Sequence, residues 1–318
     1  MIYIIDKNTK PSFYIDDSPI FKIANVIDIS ENLHPLLHKD NSCFRDFQFN
    51  FGWQITTDDS QINETSNYYY YIDTINQVSF GHWATESAIH LFKFNELKKQ
   101  YPNIKLLVPI LKKYKKIFFK LFEFNEDDIV QTFNKDNNIF FFSNYINHHD
   151  PNMGGDFYKT LLVNYFQKIK NIMNTEPIEK DISILFFTRT KTENCSSNDR
   201  TIINENVLVD YISQIPNTVV YNPEETKDIL EQFHLVSRAK TIILEYGSSF
   251  STNGLISENA NIIVIGLFYH TYIPASKMIT ELIIGKNKTV IFTPIQSSNN
   301  GQININIEEV INRLNQLL

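Results

Sequence analysis

The chain has 318 residues, enough for two domains of ordinary size, and its 42% hydrophobic and 20% charged residues are the composition of a globular protein. A formal net charge of -7 and a pI near 5.6 argue against a general nucleic-acid or anionic-membrane binder, since either needs clustered excess Lys and Arg. The two cysteines, Cys43 and Cys195, lie far apart without neighbouring Cys or His, which gives neither a zinc site nor a disulfide framework.

Met1 to Ile5 are apolar and Asp6 ends the run, too short for a secretory leader, and no later apolar run reaches membrane-spanning length. A soluble, cytoplasmic protein with no integral membrane segment is therefore expected, and the acceptor-like tripeptides at Asn63 and Asn287 read as chance. Up to about residue 75 the sequence predicts short strands and loops, among them Phe21 to Ile29 and Tyr68 to Ile72. A strand ends near Phe80, Gly81-His82 turns, and Trp83 to Gln100 carries Ala84, Ala88, Leu91, Phe92 and Leu97 at helical spacing. Tyr101-Pro102 stops that helix, because proline disfavours helical geometry in the residue before it.

Ile104 to Val108 reads as a strand. Ile110 to Phe122 reads as a helix with Leu111, Tyr114, Ile117, Phe118, Leu121 and Phe122 on one face and Lys112, Lys113, Lys115, Lys116 and Lys120 on the other. That basic face is expected to be solvated surface rather than a nucleic-acid site. Strands at Asp128 to Thr132 and Ile139 to Phe142 follow. The polar stretch 144–155 is the candidate domain boundary; its His148, His149 and Asp150 diverge as neighbours on any regular backbone, so no metal site is expected.

A linker helix over Asp156 to Met173 opens the second half. Strands at Ile182 to Phe187, Val219 to Tyr221, Ile242 to Glu245, Ile262 to Leu267 and Val290 to Phe292 then alternate with helices at Asn204 to Ser213, Thr226 to Arg238, after the Gly247 turn, Ser276 to Ile283 and Ile307 to Leu318. Such alternation implies a parallel, doubly wound sheet. The expected organisation is two α/β domains, 1–155 on an acceptor side and 156–318 on a donor side, with the terminal helix free to pack back on the first.

Chemistry concentrates at strand ends. Glu245-Tyr246-Gly247-Ser248-Ser249 is a strand-to-helix turn whose glycine lets backbone approach a ligand and whose helix start offers unpaired N–H groups to phosphate. Arg189 falls at the carboxyl end of the Ile182 to Phe187 strand, and Arg200 precedes a helix start that Asn204 is placed to cap; guanidinium forks suit phosphate. His82 occupies another strand-to-helix turn with Glu86 one helical turn later, the residue types of a general base and its carboxylate partner.

In this order, Gly81-His82-Trp83-Ala84-Thr85-Glu86, Arg189, Arg200-Thr201-Ile202-Ile203-Asn204-Glu205, Glu231-Gln232-Phe233-His234-Leu235, Ala239 and the Gly247 turn resemble the family 61 glycosyltransferases over residues 78 to 267. The family often carries His-Gly-Ala at the glycine turn, where this chain has Tyr246-Gly247-Ser248. The resemblance implies a GT-B architecture of two facing Rossmann-like domains and inverting transfer without a metal or other cofactor, and no Asp-x-Asp pair occurs in the chain. It further implies a nucleotide-sugar donor, expected to be UDP-linked, and a glycan or glycoprotein acceptor. Arg189, Arg200, Gly247, Ser248 and Ser249 would hold the diphosphate, Glu224, Glu231 and Gln232 would lie near the nucleoside, and His82 or Glu86 would be the base. A non-catalytic binding or scaffold protein on the same fold is the alternative, and a pyruvyl or phosphate-linked group transferase a third possibility; a homo-oligomer stays open.

Overall fold

A computed structural model describes residues 13–15, 18–24, 26–28, 53–55, 67–72, 80–132, 138–143, 155–173, 179–188, 201–223, 228–267, 277–299 and 302–318. The chain divides into two compact units, one of residues 1–147 with 154–162 and one of 148–153 with 163–318.

The first unit is built on a mixed sheet. Its strands are β1 (Phe13–Ile15), β2 (Ser18–Ala24), β5 (Asn67–Tyr71), β6 (Lys105–Leu107), β7 (Ile129–Val130) and β8 (Asn138–Ser143), in the order β1-β2-β8-β5-β6-β7. β8, β5, β6 and β7 run parallel, and β2 and β1 add antiparallel at the β8 edge. β3 (Val26–Asp28) and β4 (Trp53–Ile55) form a separate antiparallel pair. Tyr70, Tyr71, Leu106 and Leu107 are fully buried, as central parallel strands covered on both sides require.

The helix expected from Trp83 to Gln100 exists but is not one regular helix. Phe80–His82 is an α-turn, Trp83–Ser87 a π-turn and Ala88–His90 a 3-10 turn, before α1 (Leu91–Gln100) settles into α geometry. Thr85 of the π-turn donates its hydroxyl back to the Gly81 carbonyl of the α-turn at 2.8 Å. Fully buried Trp83 anchors the segment, packing edge-on against Phe118 and Phe119 of α2 (Lys113–Leu121).

Lys115 departs from the expected solvated face. It is fully buried, its ammonium 5.7 Å from the Trp83 ring centroid. An ammonium over an indole face is attracted by the ring quadrupole, and the four-carbon stem adds apolar contact. Lys112, Lys113, Lys116 and Lys120 are exposed as expected.

His90 is buried on the same segment, and burial followed by the neighbouring Lys93 charge holds its imidazole well below the usual 6.5. Unfolded His90 takes up a proton as pH falls through 6.5 while folded His90 does not, so this group subtracts stability on the acid side. The expected outcome is a melting temperature that falls between pH 7 and 5, with a shallower fall in His90→Leu; thermal melts across that range check it, and equal slopes would refute it.

The second unit carries a seven-stranded sheet in the order β10-β15-β14-β13-β12-β9-β11. β9 is Ile182–Phe187, β10 Thr201–Ile202, β11 Thr218–Tyr221, β12 Ala239–Glu245, β13 Asn261–Leu267, β14 Thr289–Asn299 and β15 Gln302–Ile305. The five strands β11-β9-β12-β13-β14 are all parallel, and in chain order they run second, first, third, fourth, fifth. β14 and β15 form an antiparallel hairpin, with β10 parallel to β15 at the edge. The hairpin partner and β10 were not anticipated, because runs of two residues (Thr201-Ile202) and four (Gln302-Ile303-Asn304-Ile305) are too short to carry a strand signal.

Alternation along the strands sends Ile184, Phe186, Ile243, Ile263 and Ile265 to one face. There they meet Leu208 and Ile212 of α4 (Glu205–Ile212) and Val310 and Leu314 of α8 (Ile307–Asn315) in one buried cluster. The apolar side of the terminal helix, which the sequence left free to return to the first domain, is spent on this core. Helices α5 (Ile229–Arg238), α6 (Ser248–Ile256) and α7 (Lys277–Lys286) pack side by side as a second layer. α3 (Gly155–Met173) spans the division between the units.

Gly254 marks how tightly α6 and α7 approach. A Cβ there would stand 2.8 Å from Cδ1 and 3.0 Å from Cγ1 and Cγ2 of Ile283. Gly254→Val is expected to destabilise the protein by about 1–3 kcal/mol through overpacking, and Ile283→Ala in the same chain to restore part of it. Urea unfolding of both variants measures this; additive losses would contradict the close approach.

Candidate functional site

In the second unit the strand order reverses direction between β9 and β12. Chain connections leave β9 toward β11 on one side and β12 toward β13 on the other, which opens a crevice at their carboxyl ends, where open α/β sheets bind ligands. Phe186 pairs in register with Ile243, so both strands run out at the same level. β9 ends at Phe187, followed by Thr188, and β12 ends at Glu245 before the Gly247 turn. The Gly247 turn therefore follows the end of a strand paired with β9, whose own end is followed by Thr188. Arg189, Arg200 and Glu224 lie outside the described residues.

Gly247 has φ 136° and ψ -143°, a conformation open to glycine and strained for other residues. It caps α6 without a side chain, and its carbonyl takes the N–H of Ser251 at 2.9 Å. Helix geometry leaves the N–H groups of Ser248, Ser249 and Phe250 without an intrahelical acceptor, at the positive end of the helix dipole. Ser248 and Ser249 are half-buried.

Tyr246 is packed rather than presented. It is 7% exposed, stacks on Phe250 at 5.5 Å between centroids, and sits 6.5 Å from Phe292. Its N–H donates to the Ile265 carbonyl at 3.1 Å, which fixes the height of the turn against β13.

Gln232 and Glu231 part company on α5. Glu231 is exposed, and its backbone N–H is taken by the Asp228 cap. Gln232 is buried, with its amide nitrogen 2.7 Å from Oδ1 of Asn253 on α6. Asn253 in turn donates to Ser249 Oγ at 3.0 Å. Three of the expected site positions, Gln232, Ser249 and the Gly247 turn, are thus brought together, with Asn253 as the link.

Four residues of this edge were not singled out for a role. Thr188 donates its hydroxyl to the Glu205 carboxylate at 2.7 Å, both buried, which ties the end of β9 to the start of α4. Glu245 is 2% exposed, and its Cγ would be 3.3 Å from a Cβ on Gly266, which has φ +76°. The acid closing an apolar strand was the available signal for Glu245. Thr188, Glu205 and Asn253 gave none, since their partners lie 17 and 21 residues away in sequence.

Asn204 does not cap α4 with its side chain. Its amide instead holds both backbone groups of Ile305, donating to the carbonyl at 2.7 Å and accepting from the N–H at 3.1 Å. Two hydrogen bonds to a strand edge outcompete one to a helix start.

In the first unit the chain steps from β5 to β6 and β7 on one side and returns to lay β8 on the other side of β5. The helical run that follows β5 begins at Phe80, so His82 falls in its first turn. The side chains of His82 and Glu86 lie outside the described residues. Glu86 belongs to the π-turn, whose i→i+5 bonding winds wider than an α-helix. The four-residue alignment argued for this pair is therefore not an α-helical one.

Among the described residues no group of three or more His, Cys, Asp and Glu side chains is placed to hold a metal. His148, His149 and Asp150 lie outside them. No helix among the described residues is long and apolar enough to cross a membrane. Lys180 is lowered to about 8 by burial, then Lys288, with Glu258 opposing and Lys170 assisting; it precedes β9 at the amino edge, away from the crevice.

The sequence pattern of glycosyltransferase family 61, "Glycosyltransferase 61", matches residues 80–263, more than half of the chain. The chain belongs to the glycosyltransferase 61 family. Membership supports a glycosyltransferase as the class, with a sugar donor and an acceptor. The family match opens on the first turn of the helical run and closes within β13, so it takes in His82, both arginines and the Gly247 turn. Among solved structures, the wall teichoic acid polymerase TagF is similar at 14% identity over 60% of this chain and 52% of that one, with a TM-score of 0.20. The matched part is thus about half of that polymerase. No curated protein matches the sequence.

Removing the Thr188 hydroxyl tests the architecture of this edge. Thr188→Val is expected to cost about 1–3 kcal/mol by withdrawing a donor from a buried carboxylate, with Thr188→Ser close to wild type; chemical denaturation reads both.

Proposed function

We propose that this family 61 member is an inverting, metal-independent glycosyltransferase that moves a hexosyl or pentosyl group from a UDP-sugar to a glycan or glycoprotein acceptor. The observation that carries the reading is the reversal of strand order between β9 and β12, with Thr188 and the Gly247 turn at its carboxyl edge. In this reading the two units are GT-B domains facing across a cleft, the second holding the donor. The diphosphate lies on the N–H groups of Ser248 and Ser249, and Arg189 and Arg200 balance its charge in place of a metal.

The acceptor hydroxyl oxygen attacks the anomeric carbon from the face opposite the diphosphate. A carbon–oxygen bond forms there, the bond to the phosphate oxygen breaks, and its electron pair leaves on the nucleoside diphosphate. The acceptor proton passes to His82 or Glu86, whichever is the base. Glu224 and Glu231 stand toward the nucleoside; Gln232, with its amide engaged by Asn253, acts from behind the turn.

A second reading, a non-catalytic nucleotide- or sugar-binding protein, draws on Tyr246, which packs among Phe250 and Phe292 at the position where the family often has histidine. Release of nucleoside diphosphate from a panel of nucleotide sugars, with chelator present, separates the two. Donor-specific release is expected from wild type and a loss of roughly a hundredfold or more in Arg189→Ala, with acceptor transfer lost similarly in His82→Ala. Nucleotide binding without release or transfer would favour the second reading, and loss of fold in both variants would withdraw their roles.

A further inference from the structure

Behind the first turn of α6 a pair of buried amides has a defined direction. Gln232 Nε2 donates to Asn253 Oδ1 at 2.7 Å, and Asn253 Nδ2 donates to Ser249 Oγ at 3.0 Å. Gln232 is 7% exposed and Asn253 fully buried. A carboxamide has one accepting and one donating end. Because Gln232 claims the accepting end of Asn253, the donating end must face Ser249, and the serine oxygen must accept.

A serine hydroxyl has one proton. With Asn253 donating to its oxygen, Ser249 keeps that proton for another acceptor, and no oxygen among the described residues takes it. Serine near a helix start commonly turns its hydroxyl back onto local backbone or side-chain acceptors. Here the amide pair prevents the nearest such exchange, with Asn253 itself. Ser249 is half-buried, next to the Gly247 backbone and at the carboxyl edge where strand order reverses.

We propose that Gln232 and Asn253 are positioning residues that set Ser249 as a hydrogen-bond donor to a diphosphate oxygen of the nucleotide. The proposal rests on the donor-site reading above and deepens it. Hydrogen bonds in series polarise one another in a low-dielectric interior, so Ser249 is a stronger donor than an isolated serine. The two amides are neutral and mutually satisfied, which lets them sit in the layer between α5 and α6 without the cost of a buried charge. They therefore orient a contact to an anion without themselves reaching it.

The test is a binding cycle. Calorimetric titration of UDP, with chelator, is made on wild type, Ser249→Ala, Gln232→Glu and the double variant, with Ser249→Thr as the conservative control. A carboxylate at position 232 only accepts, so Asn253 turns its NH2 toward it and its oxygen toward Ser249, whose proton is then spent inside the protein. Each single variant is expected to weaken UDP about tenfold, the loss of one hydrogen bond to a charged ligand. In the Ser249→Ala background Gln232→Glu is expected to add nothing, and Ser249→Thr to bind as wild type does. If Gln232→Glu fails to give a cooperative melt, the same cycle is run with Gln232→Leu, which frees Asn253 to turn; a weakening confined to the Ser249 background is again expected. An unchanged affinity in the position-232 variant, or a further loss of the same size in the Ser249→Ala background, overturns the positioning role and leaves the donor-site reading standing. Wild type that binds none of UDP, CDP and GDP overturns both.

Discussion

The parallel pairing of β9 with β12 is the constraint on which the second unit depends. A parallel strand can be reached only by a crossover, and crossovers are right-handed. Moving from β9 outward to β11 therefore puts α4 on one face, and moving back past β9 to β12 puts α5 on the other. The chain cannot lay down adjacent strands whose connections depart in opposite directions without leaving their carboxyl ends uncovered. The crevice is a consequence of handedness, and the residues at its rim inherit their position from the sheet.

What fills that rim is buried and polar. Thr188 holds Glu205, Gln232 holds Asn253, Asn253 holds Ser249, and Gly266 leaves room for Glu245. Each such group costs free energy when removed from water and regains it only with its partner in place. The edge is thereby more specified than an apolar one of the same shape would be. The aromatic packing of Tyr246 against Phe250 serves the same end by different means, holding the glycine turn from below while its backbone remains available.

The first unit solves its own packing problem with a break in helical geometry. Trp83 and Lys115 are both fully buried, and their contact accompanies the change from α-turn to π-turn to 3-10 turn before α1 becomes regular. Such local rewinding is frequent at functional sites, and here it begins at the turn containing His82.

Much of this was legible in the residues. Ile184 to Phe187 and Ile262 to Ile265 announce themselves as strands buried on both faces, because each is a short unbroken apolar run bounded by polar or turn-forming residues. The Gly247 turn could be placed at a strand end for the same reason. Lys115 was misread, since helical periodicity sorts residues by polarity and cannot see an indole arriving from another helix. Asn204 was misread as a cap, since its better partner, Ile305, lies 101 residues away.

By itself the sequence determined the order and kind of the second unit's main elements, and the family motifs spaced along them, because short-range periodicity and turn chemistry are local properties. Tertiary structure alone decided which strands are neighbours, and so where the direction of the sheet reverses. It also decided which buried polar groups meet there, because burial and hydrogen-bond partnership depend on contacts between residues far apart in the chain.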